Sequence, residues 1–209
     1  IQQANDRDGV KSYDRQLALI QRVGPDILAL QESDSPRVSL NNNDYVRYYA
    51  SKLKYYTYYG PTTVSGTYGT AILSRFPLHN PRTVFTFSDQ DEVGTAEAEI
   101  EVAGRRFTIY NVHPDGSDTA MLAFARTLLR RSAGESNVIA LGDYNLRENE
   151  LAYQMIAGVY TDLFQGLLMM GAAVAVFVYA LEVGGGLGEI TRTVAAAAEL
   201  GEGFLQPAG

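Results

Sequence analysis

No cysteine occurs among the 209 residues, which excludes disulfide bridges and zinc–thiolate centres. Histidine is almost as scarce: His79 and His113 are the two imidazoles in the chain. Basic charge is also short, with 17 Lys and Arg against 24 Asp and Glu and a net charge of −7. Such a balance argues against avid, sequence-independent binding to nucleic acid, because contacts to a phosphate backbone need Lys and Arg to displace counterions. It leaves room for a phosphate ester bridged by a cation, which supplies the attraction locally. The chain opens at Ile1 rather than Met, on a polar stretch with no visible signal peptide, and so reads as a fragment or a processed chain. Its compartment stays open, membrane association and export included.

What is present fits a single globular core, with 46% apolar and 20% charged residues. Apolar positions Tyr13, Leu17, Ile20 and Val23 recur at helical spacing across residues 10–24, before Gly24-Pro25 stops the helix. Strands are expected at 27–31, 69–74, 96–102 and 105–112, the last two joined as a hairpin through Ala103-Gly104. A capped helix is expected over 117–134, with Ser117 or Asp118 at its start and Arg130 and Arg131 in its last turn, where cations favour the dipole. Seven tyrosines lie between Tyr45 and Tyr59. They read either as a helix and strand whose rings pack on a sheet, or as an aromatic rim for a lipid headgroup or sugar. The mixture points to an α/β (α+β) fold, a two-sheet β-sandwich with outer helices.

Three strand ends carry polar side chains. The run 137–141 closes on Gly142-Asp143-Tyr144-Asn145, and period-two geometry would point Asp143 and Asn145 to one face. Asp143 could bind a cation or orient a water, and the Asn145 amide could donate to a phosphate oxygen. An ordinary Asp/Asn turn explains the same letters. Upstream, the strand from Phe107 ends in Asn111-Val112-His113, where an imidazole could shuttle a proton or donate to phosphate, or simply be structural. Earlier still, 25–30 runs into Gln31-Glu32, and a Glu in that place either caps something or binds a cation. Arg75 and Arg147 flank these motifs, and either guanidinium could bind phosphate. His79, in Phe76-Pro77-Leu78-His79-Asn80-Pro81, fits a loop or strand edge.

In this order, and with Tyr68 to Leu78 between the first two, these motifs over residues 1–165 resemble the endonuclease/exonuclease/phosphatase superfamily. The wording around Glu32, Tyr68–Leu78 and Gly142–Asn145 looks closest to the branch associated with remodelling the lipid of glycosylphosphatidylinositol anchors and to its bacterial relatives. The resemblance implies a metal-dependent phosphoric ester hydrolase using Mg²⁺ or Mn²⁺. Glu32 would be the metal-binding carboxylate, His113 a transition-state donor to the phosphate, and Asp143 the residue that positions or activates the attacking water. Asn145 would bind the phosphate, and Asn111 would brace His113. The partner implied is a phosphate ester, with a lipid or glycolipid headgroup as one form of it and nucleic acid disfavoured by the charge.

Departures from the family pattern are equally specific. The first-strand Asn and the closing Ser-Asp-His have no counterpart, and a Glu often found near the start of the Ala71–Arg75 stretch is replaced by Tyr68 and Gly69. The domain therefore reads as incomplete at both termini. Residues 166–209 form an atypical tail: Gly166 to Leu181 holds sixteen residues without a charge, followed by a Gly-rich break and an Ala-rich stretch. Sixteen residues fall short of the ~20 a spanning helix needs, so a short membrane segment, a buried strand or helix, and a non-native sequence all remain. A different-class alternative is a non-catalytic binding or membrane-associated domain that keeps the fold. The expectation is that this chain hydrolyses phosphate esters weakly or not at all, since loss of a positioned acid or base costs about 10²–10⁴-fold in rate. A chromogenic phosphodiester assay in Mg²⁺ checks it: robust turnover abolished by His113→Ala would overturn that expectation.

Overall fold

The computed structural model describes Asn5 and residues 8–34, 44–64, 66, 68–88, 91–183 and 185–202. Most of the opening segment, residues 1–7, lies outside them. The chain divides into two compact units, Ile1–Ile156 and Ala157–Gly209.

Alternating apolar residues build two sheets in the first unit. One has the order β1-β3-β2, with β1 (Ile27–Asp34) and β2 (Tyr56–Pro61) both antiparallel to β3 (Tyr68–Ser74). The other has the order β4-β5-β6-β7, from β4 (His79–Phe87), β5 (Glu92–Val102), β6 (Arg105–Val112) and β7 (Val138–Gly142). Its last pair, β6 and β7, is parallel, so the connection must cross over, and helix α3 (Asp118–Ser132) is that crossover. The sheets pack through small and branched side chains: Ile72 meets Ala96, Ala98, Ile100 and Ile109. Contact is close enough that a Cβ on Gly94 would sit 2.0 Å from the Pro61 carbonyl oxygen. That crossing explains why β5 starts at Glu92, four residues before the expected Ala96: Gly94-Thr95, which resembles a turn, is strand in tight contact with β2.

Helices cover both outer faces. Helices α1 (Tyr13–Val23) and α2 (Tyr45–Leu53) bury Leu17, Tyr45, Val46 and Tyr49 against Leu30, Ala71 and Leu73 of the first sheet. Tyr45 and Tyr49 are core side chains, so those rings serve packing rather than an aromatic rim. Helix α3, capped by the Ser117 hydroxyl accepting from the Ala120 amide, packs Ala120, Phe124 and Leu128 on Val93, Tyr110 and Val112. Each such aromatic or leucine contributes about 1.5–3 kcal/mol through burial. Arg131, in the last turn of α3 as expected, also reaches β5: its Nε and Nη2 donate to the buried Glu97 carboxylate at 2.8 and 3.1 Å, with Arg82 on the same carboxylate. The Ala103-Gly104 hairpin turn has positive φ at both residues, 51° and 73°, the geometry that matches strand twist.

Across the sandwich runs a polar tie. Asn111 of β6 is fully buried, and its Nδ2 donates to Leu30 O of β1 (3.0 Å) and Ala71 O of β3 (2.9 Å). Its Oδ1 accepts from Gln31 Nε2 at 2.8 Å. The resemblance cast Asn111 as a brace for His113; its side-chain bonds go instead to the opposite sheet.

Helix α4 (Leu151–Val183) begins in the first unit, and the second unit contains the rest of it with α5 (Leu187–Glu202). The uncharged run 166–181 is thus helical, not a closing strand. Met170, Val174, Phe177 and Val178 on it are exposed. Among the described residues no helix is long and apolar enough to cross a membrane.

Asn111→Leu keeps the branched shape but removes the donor from two buried carbonyls and one acceptor from Gln31. It should lower unfolding free energy by about 2–3 kcal/mol, read as a drop in the urea midpoint at constant slope; an unchanged midpoint would show that the tie carries no stability.

Candidate active site

One hydrogen-bonded node gathers the three strand ends. Asn111 pairs with Leu141 across β6 and β7, and its side chain holds Gln31. Glu32 is one residue beyond Gln31, His113 two beyond Asn111, and Asp143 two beyond Leu141. Each therefore leaves the node within roughly 7 Å of extended chain. The structure brings Glu32, His113, Asp143 and Asn145 to one end of the sandwich.

Glu32 sits in a bulge where the β1–β3 register shifts between Leu30 and Ser33, with φ at +50°. Tyr45 Oη donates to its carbonyl at 2.8 Å and pins the backbone there. No described residue makes a hydrogen bond or ion pair to its carboxylate. Positive φ in a glutamate is costly, about 1–3 kcal/mol, and persists where surrounding structure enforces it. Asn145 is the other candidate residue in this state, with φ at +48°. The remaining non-glycine instances have local reasons: Lys54 caps α2, Ala103 turns the hairpin, and Asn80 lies in the β4 bulge.

At the end of β7 the expected strand alternation gives way to a turn. Gly142 has φ at +142°, and a Cβ there would lie 2.0 Å from Val112 O, so β7 can close on β6 only with glycine. Asp143 Oδ1 then accepts from Asn145 N at 3.0 Å, an Asx turn, and this bond rather than period two sets the two side chains together. Tyr144 between them is anchored inward, its ring edge-on to Phe124 and its hydroxyl on Ala140 O at 3.3 Å. Asn145 Nδ2 donates to Pro114 O at 3.0 Å, tying the turn to the residue after His113. The run before Gly142, expected to be buried, is half-buried because β7 is a sheet edge among the described strands.

His113 lines a cleft of about 360 Å³ with Thr62, Tyr68, Asp91, Glu92 and Asp115. The residue is 8% exposed, and its Nδ1 is buried without a hydrogen-bond partner among the described residues. Tyr68 faces it at 6.4 Å between ring centroids. Asp91 accepts from Ser117 N (3.1 Å) and Ser117 Oγ (2.8 Å), and these bonds hold its carboxyl below the usual aspartate range. A larger cleft of about 660 Å³, lined by Lys11, Tyr13, Asp14, Asp44 and Tyr48, contains none of the candidate residues. The smaller one holds His113, while Glu32, Asp143 and Asn145 are not among its lining residues.

Two expectations separate here. Arg147 follows Asn145 by two residues, exposed, in the loop before α4. Arg75 does not flank the site. It follows Ser74, which pairs with Ile27 at the start of β1, the opposite end from Glu32. There it binds Asp26 at 3.0 Å and stacks on Tyr55 at 5.8 Å. His79 is exposed at the start of edge strand β4. Sequence reasoning missed Asp91, Glu92 and Asp115 as cleft walls; the Asp91-Glu92 doublet opening a strand was a signal, but nothing local aims it at His113.

The two-sheet fold is that of the endonuclease/exonuclease/phosphatase superfamily. Within it, residues 1–144 match the family described as the PGAP2IP C-terminal nuclease-like domain, and the chain belongs to that family. Solved structures share the fold at low identity. An endonuclease/exonuclease/phosphatase family protein from Leptotrichia buccalis is 20% identical, with a TM-score of 0.59 over 73% of this chain and 67% of that one. D. rerio TDP2 complexed with a single-strand DNA product is 20% identical, TM-score 0.52, over 67% and 56%. ANGEL2, a 2′,3′-cyclic phosphatase in complex with adenosine-2′,3′-vanadate, is 17% identical, TM-score 0.52, over 68% and 46%. The chain thus spans about half the length of the last two.

The Asp91–Ser117 bonds set a pH dependence. Because the folded carboxyl is depressed, its stabilisation is full above the ordinary aspartate value near 4 and is lost as pH falls through the lower folded value. The melting-temperature gap between the unsubstituted chain and Asp91→Asn should be widest above about pH 5 and narrow below about pH 3. A gap that widens on acidification would refute this linkage.

Proposed function

We propose that this chain is a metal-dependent phosphoesterase domain, slow or inactive, with its site formed by Glu32, His113, Asp143 and Asn145. The observation that carries the reading is the Asn111 node, which delivers a carboxylate, an imidazole and an Asx turn to one end of the sandwich. Among the described residues no three His, Asp or Glu side chains form a metal-holding group. That still fits Mg²⁺, which takes one or two carboxylates and completes its shell with water and phosphate oxygens. Glu32 would hold it, and the bound cation would offset charge developing on the phosphate.

The chain's own groups have separable tasks. Asp143 orients the attacking water and accepts its proton as the new P–O bond forms. Asn145 spends one amide hydrogen on Pro114 O and keeps the other for a phosphate oxygen. His113, with Nδ1 enclosed, offers Nε2 toward the cleft to donate to the phosphate or to the departing ester oxygen. Arg147 is near enough in sequence to Asn145 to assist phosphate binding. The substrate class is a phosphate ester; the charge of −7 favours a compact ester over an extended nucleic acid. A second reading, a binding domain without turnover, is favoured because no acid among the described residues orients His113 Nδ1.

Calorimetry with Mg²⁺ and Mn²⁺, followed by hydrolysis of bis(p-nitrophenyl) phosphate, separates the two. Glu32→Gln should weaken metal binding by at least about 10-fold with the fold intact, and His113→Ala should lower any turnover by about 10²–10⁴-fold. Unchanged metal affinity in Glu32→Gln would remove Glu32 from the site, and metal binding without turnover would leave the binding-domain reading.

A further inference from the structure

The five residues from His113 to Ser117, which join β6 to α3, are fastened from two strands. Asn145, beyond β7, holds the Pro114 carbonyl. At the other end Asp91, just before β5, accepts from both the amide and the hydroxyl of Ser117. Gly116 runs over the same carboxylate with φ at +120°, and a Cβ there would come within 3.0 Å of the Asp91 carboxyl carbon. Asp91 is itself braced: its carbonyl accepts from Ser88 N at 2.9 Å, and its amide donates to Ser88 Oγ at 3.3 Å. Ser117 passes the restraint to α3, since its hydroxyl caps the helix through Ala120 N. The charge assists, because a carboxylate accepting two donors at a helix N-terminus is favoured by the helix dipole.

We infer that Asp91 is a positioning residue for His113, acting through the Gly116–Ser117 loop to give the imidazole one orientation in the cleft. The inference rests on reading His113 as the phosphate contact, and it adds to that reading a residue with no counterpart among the motifs. Among the described residues nothing hydrogen-bonds His113 to orient it: Nδ1 is unpartnered there and Tyr68 stands 6.4 Å away. Its geometry therefore depends on where the backbone presents it, and that backbone is held by Asn145 on one side and Asp91 on the other.

The scarcity of histidine makes the test direct. Two imidazole Cε1–H signals arise from this chain, and the exposed His79 at the start of β4 serves as the internal reference. In the full chain, Asp91→Ala should broaden or split the His113 signal while His79 stays fixed. Asp91→Asn retains an acceptor oxygen and should restore a single sharp His113 signal. Ser117→Ala, which keeps the amide donor but loses the hydroxyl, should give a smaller disturbance, and it stands in if Asp91→Ala fails to fold. Asp26→Asn, an equal change of charge at the far end, should leave both signals alone. Titration with inorganic phosphate should then move the His113 signal of the unsubstituted chain, with affinity reduced about 10–100-fold in Asp91→Ala and recovered in Asp91→Asn. A His113 signal unchanged by both Asp91→Ala and Ser117→Ala would overturn the inference. A signal that responds to these substitutions but not to phosphate would uphold the positioning role and overturn the phosphate reading instead.

Discussion

The buried carboxamide of Asn111 is the interaction on which the site's geometry depends. It spends both amide hydrogens on carbonyls of two neighbouring strands in the opposite sheet and its oxygen on Gln31. Inside an apolar sandwich such a group is expensive unless every partner is met, so the sheets can dock only in the register that meets them. That same register fixes where β1, β6 and β7 end. Site and fold share one constraint.

Small residues make that docking possible. Ala96 and Ala98 are fully buried against Ile72 of the opposite sheet, and Gly94 crosses Pro61 with no space for a Cβ. Close approach keeps the Asn111 amide within reach of both carbonyls; larger side chains would hold the sheets apart and leave it unsatisfied. Gly142 repeats the device within one sheet, letting the Asp143–Asn145 turn start directly beside Val112 and therefore beside His113. The strained φ values of Glu32 and Asn145 then fall where the regular ladder stops and side chains must be re-aimed.

Membership in the superfamily and the two-sheet architecture were legible because they rest on local patterns. Alternating apolar strands, the Gly24 stop, the Ser117 cap and the Ala103-Gly104 turn are each set by residues within a few positions of one another. The candidate site residues were named on an equally local signal: polar side chains directly after apolar runs are unusual enough to stand out. Arg75 shows where this reasoning ends. It follows an apolar run as Glu32 does, but antiparallel pairing of β3 with β1 puts the two at opposite ends. Direction within a sheet is not written in a strand's own letters.

By itself the sequence determined the segments marked by a local period, cap or turn, the polar side chains that stand at their ends, and the absence of any thiol. Only the tertiary structure decided which of those side chains meet. The Gln31–Asn111 bond joins residues 80 positions apart, the Asn145–Pro114 bond spans 31, and the Asp91–Ser117 bonds span 26. Such contacts depend on sheet order, register and the crossover through α3. Burial then decides the rest, because a polar group shut away from water must be satisfied by whatever the fold places beside it.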